Sequence, residues 1–453
     1  MLWHDVRQAW WSFRRSPWLT VLIIGAMAAG IGTSLITLTL YHARAGNPIW
    51  WKSDRLFAVT LDNRLVDPQS DGNSRHPEYP PFMLTWRDAQ AIYRSDIPVR
   101  SARMFASRRL IDPQRPGVPI FRAATRVTSA DFFAMFDVPF LYGTGWPRTA
   151  DEAPEPVVVI SKAINDRVFG GVDSVGRSIN VSGRPFRVVG VIDGWMPQPR
   201  FYDLSGAFDP SEGIFLPFGW TTAWELPAAG PIRCLSNDQV GSFKELLAAE
   251  CVWLQVWAEL ASDEQRARYQ QFLDNYVREQ KEAGRFPRPL NNRLADVSTW
   301  LDMNDVVGDK SRILVAVALL FLAVCVLNTL GLMLARFLGA APISGLRRAL
   351  GATRRDIVRQ HLTEVMLMGL IGGIAGLGLA KAGLWLLHVL LFLPMARQSI
   401  NPQAQTIAHS MTHLDGQMVL AALAMSLIAG LAAGLYPAWR IGRLQPASFL
   451  KSQ

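Results

Sequence analysis

The sequence predicts an α+β membrane protein with four transmembrane helices and a large mixed α/β domain inserted between helices 1 and 2. Three observations support this fold class. Half of the 453 residues are hydrophobic and only 18% are charged, whereas soluble chains carry roughly 25% charged residues. Four apolar runs are each long enough to cross a hydrocarbon core of about 30 Å as a helix. Roughly 270 residues of mixed composition separate the first run from the second.

The elements follow from these runs in chain order. Before the first run, Trp3, Val6, Trp10 and Phe13 recur at helical spacing, which is typical of an amphipathic helix at a membrane surface. The predicted segments are a cytoplasmic amphipathic helix at 1–17, transmembrane helices at 18–41, 313–334, 365–393 and 418–439, an extracytoplasmic domain of two lobes at 42–312, a cytoplasmic coupling region at 335–364, an extracytoplasmic loop at 394–417 and a cytoplasmic tail at 440–453.

The distribution of charge predicts the orientation of the chain. Lysine and arginine are concentrated before the first run, between the second and third, and after the fourth, while residues 42–312 are almost neutral. Short cytoplasmic loops carry such an excess of positive charge. Both termini are therefore expected in the cytoplasm, in a multi-pass protein of the cell inner (plasma) membrane. The net charge of +9 then needs no nucleic-acid partner to explain it.

Within the extracytoplasmic domain, residues 118–216 alternate between short strands and brief helices. The Ser182-Gly183 pair lies between two strand-like segments and predicts a tight hairpin turn. Residues 245–284 have helical spacing, and Cys251 falls inside them. Cys234 and Cys251 are both expected outside the membrane, where a disulfide is possible, but the sequence leaves their pairing open.

Two short motifs resemble catalytic or metal-binding patterns but lack essential members. Residues 171–178 have the spacing of a phosphate-binding loop, yet Arg177 replaces the required lysine and a strand-like segment follows instead of a helix. His409 and His413 have the spacing of a zinc site without the glutamate that such sites use. We predict no catalytic residue, no metal site and no cofactor in this chain. We therefore expect that the chain is not an enzyme.

Four segments carry a specific family resemblance. GLRRALGATRRDIVRQHLTE, at 345–364 and followed by a glycine-rich run, resembles the signature of the FtsX/MacB type of ABC-transporter permease, also called the type VII or mechanotransmission class. RVTSADFFAMFDVPFLYGTGW and the stretch that begins EPVVVISKAIN resemble the MacB-like periplasmic core domain. The arginine-rich opening with its first apolar run, and the closing GLYPAWRIGRLQPASFLKSQ, are also similar to this family.

The resemblance implies that two permeases form a dimer and that a separate ABC ATPase pair, which would carry ATP and Mg²⁺, binds their cytoplasmic face. Arginines between the second and third helices can pair with ATPase carboxylates; alternatively, they merely follow the positive-inside rule. The implied coupling residues are Gly345, Leu346, Arg347, Arg348, Ala349, Leu350, Gly351, Ala352, Arg354 and Arg355.

Two positions depart from the family pattern. The motif usually has a glutamate and an isoleucine immediately before its glycine, and this chain has Ile343 and Ser344 there. The missing acidic residue leaves two assemblies open, a homodimer and a heterodimer with a second, more typical permease.

The function implied by the resemblance is transmission of ATP-driven motion to the extracytoplasmic domain. The transmembrane helices show no paired buried charges, which fits transmission better than a hydrophilic conduit. Three roles remain open: export of antimicrobial compounds or peptides with a periplasmic adaptor and an outer-membrane channel, extraction of lipoproteins, and regulation of a cell-wall hydrolase or drug sensing. The seven arginines between Arg100 and Arg126 form either an adaptor surface or an ordinary solvated face.

Overall fold

The structure is a computed structural model of the chain. It describes residues 11, 13–14, 16–66, 77–209, 211–234, 240–306, 308–339, 346, 351, 353–387, 389–390 and 416–443. The chain divides into two compact units. We call residues 1–43, 308–394 and 408–453 the membrane unit, and residues 44–307 with 395–407 the inserted domain.

Eleven helices and twelve strands are present among the described residues. In chain order they are α1 (Pro17–Ala45), β1 (Leu56–Thr60), β2 (Leu84–Thr85), α2 (Trp86–Tyr93), β3 (Arg100–Asp112), β4 (Phe121–Thr128), α3 (Asp131–Met135), β5 (Phe140–Gly143), β6 (Val157–Ser161), α4 (Lys162–Phe169), β7 (Ser178–Val181), β8 (Arg184–Ile192), β9 (Ile214–Pro217), α5 (Trp220–Ala223), β10 (Arg233–Cys234), α6 (Phe243–Ala248), β11 (Cys251–Glu259), α7 (Asp263–Glu282), β12 (Arg293–Asp296), α8 (Val297–Met303), α9 (Gly308–Gly339), α10 (Arg354–Leu387) and α11 (Gly416–Arg443).

Four of these helices are long and apolar enough to cross a membrane. Their apolar parts are Pro17–His42, Ser311–Gly339, Arg354–Leu387 and Val419–Pro437, which belong to α1, α9, α10 and α11. The prediction of four membrane-spanning helices with a mixed α/β domain between the first two is confirmed. The predicted loop at 394–417 lies almost entirely outside the described residues.

Small residues let the helices of the membrane unit approach one another closely. A Cβ atom added at Gly372 of α10 would lie 2.9 Å from Cβ of Met27 in α1. One added at Gly373 would overlap the side chain of Ser426 in α11. Since lipid tails solvate apolar side chains as well as protein does, such close van der Waals contact is what holds membrane helices together. α10 therefore packs against α1 on one side and α11 on the other.

A single twelve-stranded sheet forms the framework of the inserted domain. Its main path runs β12-β1-β11-β3-β4-β9-β6-β8-β5, with β2, β7 and β10 added beside it. The sequence predicts two lobes; in the structure one sheet connects the described strands of the domain. This continuity depends on β3, whose 13 residues pair with β11 at one end and with β4 and β7 at the other.

Two aromatic-rich clusters fill the core of the inserted domain. In the first, the indole of Trp253 stacks on Trp86 at 6.1 Å and meets the ring of Phe105 edge-on at 4.9 Å. In the second, Phe136 and Trp257 meet edge-on at 5.8 Å. Edge-on and stacked rings add about 0.5–1.5 kcal/mol per pair to the apolar area that they bury.

The predicted helix over 245–284 is wrong in its middle part. Residues 243–248 and 263–282 are helical, but Cys251–Glu259 is the strand β11. Every residue of β11 is buried, because strands lie on both of its edges and cores on both of its faces. A strand buried on both faces reads as an unbroken apolar run, which periodicity cannot distinguish from a buried helix.

Two local predictions in this domain can be compared with the structure. The hairpin is confirmed: β7 and β8 pair antiparallel, and Ser182 and Gly183 turn between them with φ of 46° and 87°. Positive φ at both turn positions is the geometry that a glycine favours. Residues 171–177 form the loop that follows helix α4 and precedes strand β7. This order is the reverse of the strand, loop and helix of a phosphate-binding loop.

A disulfide joins Cys234 of β10 to Cys251 of β11. The two residues lie directly opposite each other in the antiparallel pair. The bond ties a two-residue edge strand to the centre of the sheet. The third cysteine, Cys325, is a buried free thiol in α9.

Candidate coupling site

The structure describes four of the ten predicted coupling residues. These are Leu346, Gly351, Arg354 and Arg355. Ile343 and Ser344 lie outside the described residues, as do Gly345, Arg347, Arg348, Ala349, Leu350 and Ala352. His409 and His413 also lie outside them.

The beginning of α10 is defined by a reciprocal cap. The hydroxyl of Thr353 accepts a hydrogen bond from the backbone N–H of Asp356, and the Asp356 carboxylate accepts from the Thr353 backbone N–H at 3.1 Å. This capping box satisfies helix donors that would otherwise lack partners. Gly351, with φ of 103°, supplies the turn that leads into the cap. The cap explains why α10 begins well before the predicted membrane span at 365.

The first turns of α10 have one basic side and one buried side. Arg354, Arg355 and Arg359 are exposed, whereas Ile357 and His361 are buried. The exposed arginines can receive carboxylates of a partner in bidentate pairs, because each guanidinium presents a planar fork of donors. The described part of the coupling region therefore offers a basic surface on a helix that is anchored through its other side.

A buried polar cluster lies where α1, α9 and α10 meet. Arg336 of α9 forms an ion pair with Glu364 of α10 at 2.9 Å between Nη2 and Oε1, and the two side chains are only 5% and 4% exposed. Nη1 of Arg336 donates a hydrogen bond to the Thr20 hydroxyl of α1 at 2.6 Å. The rings of Phe337 and His361 pack beside this pair with centroids 4.3 Å apart.

This cluster corrects the expectation that the transmembrane helices contain no paired buried charges. Arg336 and Glu364 lie immediately outside the predicted spans 313–334 and 365–393, so sequence reasoning counted them only as cytoplasmic charges. The sequence feature that could have indicated the pair is the opposite charge of these two residues at the two ends of the coupling region. In the structure, the apolar helices extend past both residues, which places the pair inside the helix bundle.

The inserted domain contains a second buried network, centred on Arg126 of β4. Its guanidinium contacts Glu212 and lies 2.7 Å from Asp203, and the Tyr202 hydroxyl donates to Glu212 at 2.7 Å. Burial by itself raises the pKa of Glu212, but Arg126 and Arg200 outweigh it, so that this pKa lies below its ordinary value. Two cations and two carboxylates thus compensate one another in the interior.

Arg126 also decides how the arginine-rich stretch 100–126 is interpreted. Arg103 and Arg126 are 2% and 0% exposed, and Arg103 pairs with Glu152 at 3.1 Å. Arg108, Arg115 and Arg122 are exposed. The seven arginines therefore do not form one surface: two of them belong to the interior, contrary to both of the predicted interpretations for the stretch as a whole.

Asp151 is a buried carboxylate with several donors around it. Its oxygens accept hydrogen bonds from the Ala130 backbone N–H, the Trp146 indole and the Tyr93 hydroxyl. Burial raises the pKa of Asp151 to about 6, although these donors and Arg103 act in the opposite direction. Asp151 thus titrates closer to neutral pH than an ordinary carboxyl group.

The described residues hold no group of three or more His, Cys, Asp or Glu side chains that could bind a metal ion. An open polar cleft of about 610 Å³ lies beside the start of α7. Two of its charged groups already have partners, since Arg55 pairs with Glu259 at 3.6 Å and Asp296 accepts backbone hydrogen bonds at the start of α8. We assign no ligand to this cleft.

Two family models match the chain in series. The model of the MacB-like periplasmic core domain matches residues 20–275, more than half of the chain. The model of the FtsX-like permease C-terminal region matches residues 315–446, which include α10 and its capped beginning. The chain belongs to the MacB/FtsX family of ABC-transporter permeases. Its four apolar helices and this family make it an inner-membrane protein.

Curated relatives of this family are similar over most of the chain. The pyoverdine export ATP-binding/permease protein PvdT of Pseudomonas fluorescens (strain Pf0-1) is 26% identical over 71% of this chain and 42% of its own length. The macrolide export ATP-binding/permease protein MacB of Syntrophobacter fumaroxidans is 24% identical over 74% of this chain and 50% of its own length. The chain thus spans half or less of the length of these relatives.

Solved structures to which the chain shows similarity include the periplasmic region of MacB from Actinobacillus actinomycetemcomitans. The match covers 55% of this chain and 92% of that structure, at 13% identity and a TM-score of 0.35. The extracellular domain of the noncanonic ABC-type transporter YknZ from Gram-positive bacteria covers 53% of this chain at 10% identity and a TM-score of 0.33.

Proposed function

We propose that this chain is the permease subunit of an ABC exporter. In this proposal, an ATPase in a separate chain binds ATP and Mg²⁺ and hydrolyses ATP at the cytoplasmic face. The permease transmits the resulting motion to its inserted domain outside the membrane, with both termini in the cytoplasm. Two permeases form the working dimer, either as identical copies or with a second permease.

The observation that carries this proposal is the order of the two matched regions on one chain. A periplasmic core domain is inserted after the first apolar helix, and the permease region with three further apolar helices follows it. Relatives that are similar over most of this chain are named for the export of pyoverdine and of macrolides. The cargo we propose is accordingly an antimicrobial compound, a peptide or a similar molecule, passed on with a periplasmic adaptor and an outer-membrane channel.

The basic start of α10 supports the proposed contact with the ATPase. Arg354 and Arg355 are exposed in its first turn, where the helix N-terminus adds positive partial charge. A groove lined by carboxylates on a partner would complement this surface. The predicted residues Arg347 and Arg348 extend the same charge along the chain.

The first experiment is a mild-detergent purification of the tagged chain from its own cells, followed by mass spectrometry of the proteins that accompany it. An ABC ATPase together with a periplasmic adaptor supports the export proposal, and a second permease in equal amount identifies a heterodimer. An ATPase accompanied by lipoproteins, or by a cell-wall hydrolase, without an adaptor would replace export with lipoprotein extraction or regulation. Absence of any ATPase contradicts the proposal.

Charge reversal tests the contact residues. Arg354→Glu with Arg355→Glu, and separately Arg347→Glu with Arg348→Glu, should reduce recovery of the ATPase at least tenfold while the chain remains in the membrane. The matched control is Arg268→Glu with Arg278→Glu, because these arginines are exposed on α7 of the inserted domain. Undiminished recovery of the ATPase with both coupling variants would rule out the assigned site.

A further inference from the structure

The coupling region connects α9 to α10, and the Arg336–Glu364 pair closes its base. Arg336 lies three residues before the end of α9 at Gly339, and Glu364 lies about three turns into α10. The two side chains meet at 2.9 Å. A force applied to the coupling region therefore acts on this pair, which joins α9 and α10 beside that region.

Connectivity shows where such a force can go next. The inserted domain is attached to the membrane unit through the end of α1 and the beginning of α9. α10 carries the exposed arginines of the coupling region, and residues 395–407, which follow it in the chain, also belong to the inserted domain. Side-chain contacts with α1 and α9 give movement of α10 a second route, at the opposite end of the helix from residues 395–407.

Arg336 of α9 contacts both α10 and α1. It belongs to α9, pairs with Glu364 of α10, and donates to Thr20 of α1 at 2.6 Å. Its guanidinium also lies 5.5 Å from the ring centroid of Phe13, just before α1. One side chain thus joins the helix that receives the force to the two helices that lead to the inserted domain.

The energetics favour a positioning role over a purely stabilising one. Two charges with side chains 5% and 4% exposed lose much of their hydration. Their attraction repays that cost only in part, so an apolar pair of similar size is often as stable. An apolar contact has no preferred geometry, so its two helices can shift along each other. A charged and hydrogen-bonded pair holds one relative position of its helices.

We infer that Arg336 and Glu364 are positioning residues that transmit movement of the coupling region to α1 and α9, and through them to the inserted domain. The inference rests on the proposed function, because the movement originates at the ATPase. The ion pair fixes the relative position of α9 and α10 beside the coupling region, and the hydrogen bond to Thr20 adds α1. The pair makes the three helices move together.

The test uses the full chain with its co-purified ATPase in nanodiscs of phosphatidylethanolamine and phosphatidylglycerol. The readout is the change in amide hydrogen exchange of residues 44–307 between the nucleotide-free complex and the complex trapped with ATP and vanadate. Three variants are compared with the wild type: Glu364→Gln, the apolar pair Arg336→Met with Glu364→Leu, and the exchanged pair Arg336→Glu with Glu364→Arg.

We expect the variant with the apolar pair to keep ATPase association and ATP hydrolysis within about twofold of wild type. Its nucleotide-dependent change in hydrogen exchange should be at least fivefold smaller than that of the wild type. The exchanged pair should restore at least half of that change. The matched control is Ser34→Ala, which removes a buried hydrogen bond between α1 and α9, from Ser34 to the Ala318 carbonyl, and leaves α10 untouched. This control should show the same nucleotide-dependent change in hydrogen exchange as the wild type.

The outcomes separate the two proposals. If the ATPase does not accompany the wild-type chain, the proposed function fails. If it does, and the apolar pair transmits the full exchange change, the positioning role is wrong while the proposed function stands. If Glu364→Gln and the apolar pair fold and bind ATPase but the exchanged pair gives no recovery, the pair has no directional role and the inference also fails.

Discussion

The inserted domain and the membrane unit are packed in opposite ways. The largest fully buried side chains of the chain, among them Trp253, Trp257 and Phe105, belong to the inserted domain. In the membrane unit, glycines such as Gly372 and Gly373 bring backbones together. Water drives the burial of large apolar surfaces, whereas lipid offers no such drive and leaves van der Waals contact at close approach. The same chain is therefore held together by large buried side chains in the inserted domain and by close glycine contacts in the membrane unit.

The two units also treat charge differently. Around Arg126, the inserted domain buries two carboxylates and a second arginine in one closed network. In the membrane unit, the buried pair of Arg336 and Glu364 lies near the ends of the helices that carry the coupling region. The network around Arg126 joins several segments of the inserted domain, and the single pair of Arg336 and Glu364 joins two helices beside the coupling region.

The largest expected effect comes from opening the network of the inserted domain. Glu212→Ala leaves Arg126 and Arg200 without their shared carboxylate, and removal of one partner from a buried ion pair costs about 3–5 kcal/mol. Hydrogen exchange of residues 196–217 in the full chain should accelerate by at least a hundredfold. The exposed Glu282→Ala is the control. Equal protection in both variants would show that the network does not stabilise the domain.

Loss of the disulfide between Cys234 and Cys251 should have the next largest effect. In the chain-entropy account, a cross-link over 17 residues contributes about 3 kcal/mol. Cys234→Ala with Cys251→Ala should lower the unfolding temperature of the inserted domain by several degrees, and reductant should do the same to the wild type. The exchange of α10 and α11 should not change. A reductant-insensitive unfolding temperature would contradict the bond.

Asp151 predicts an unusual dependence of stability on pH. Its pKa is raised to about 6 in the folded domain, above about 3.9 for an unfolded aspartate. The folded state therefore binds this proton more tightly, so the free energy of unfolding should rise as pH falls from about 7 to about 4, by up to about 3 kcal/mol from this group. Denaturant unfolding of the wild type and Asp151→Asn measures it. If the free energies of unfolding of the wild type and Asp151→Asn depend on pH in the same way, the pKa of Asp151 is not raised in the folded domain.

The smallest effect concerns helix packing in the membrane unit. Gly373→Ala forces a methyl group into the side chain of Ser426, and such overpacking costs about 1–3 kcal/mol. Gly378→Ala is the control, because a Cβ atom there would have nothing within 4 Å. We expect faster exchange in α10 and α11 for Gly373→Ala alone. Identical behaviour of the two variants would mean that close approach does not hold this unit together.

Several elements could be predicted because their cause is local. An apolar run of membrane length has few alternatives to a helix, and the Ser182-Gly183 turn follows from the φ angles that glycine accepts. β11 could not be predicted, since β1 and β3 cover its edges and the two core clusters cover its faces, and all of these come from other parts of the chain. The burial of Arg103 and Arg126 has the same origin, because their carboxylate partners come from other parts of the chain.

By itself, the sequence determined the four apolar helices, the mixed domain between the first two, the basic segment before the third and the family to which they belong. Each of these features depends on the spacing and charge of residues that are close together in the chain. Only the tertiary structure decided that Arg336 meets Glu364 and Thr20, that Arg126 lies in the interior, and that β3 joins the whole sheet. Those contacts join residues far apart in the chain, so the packing of entire elements, and not any local preference, decides which groups meet.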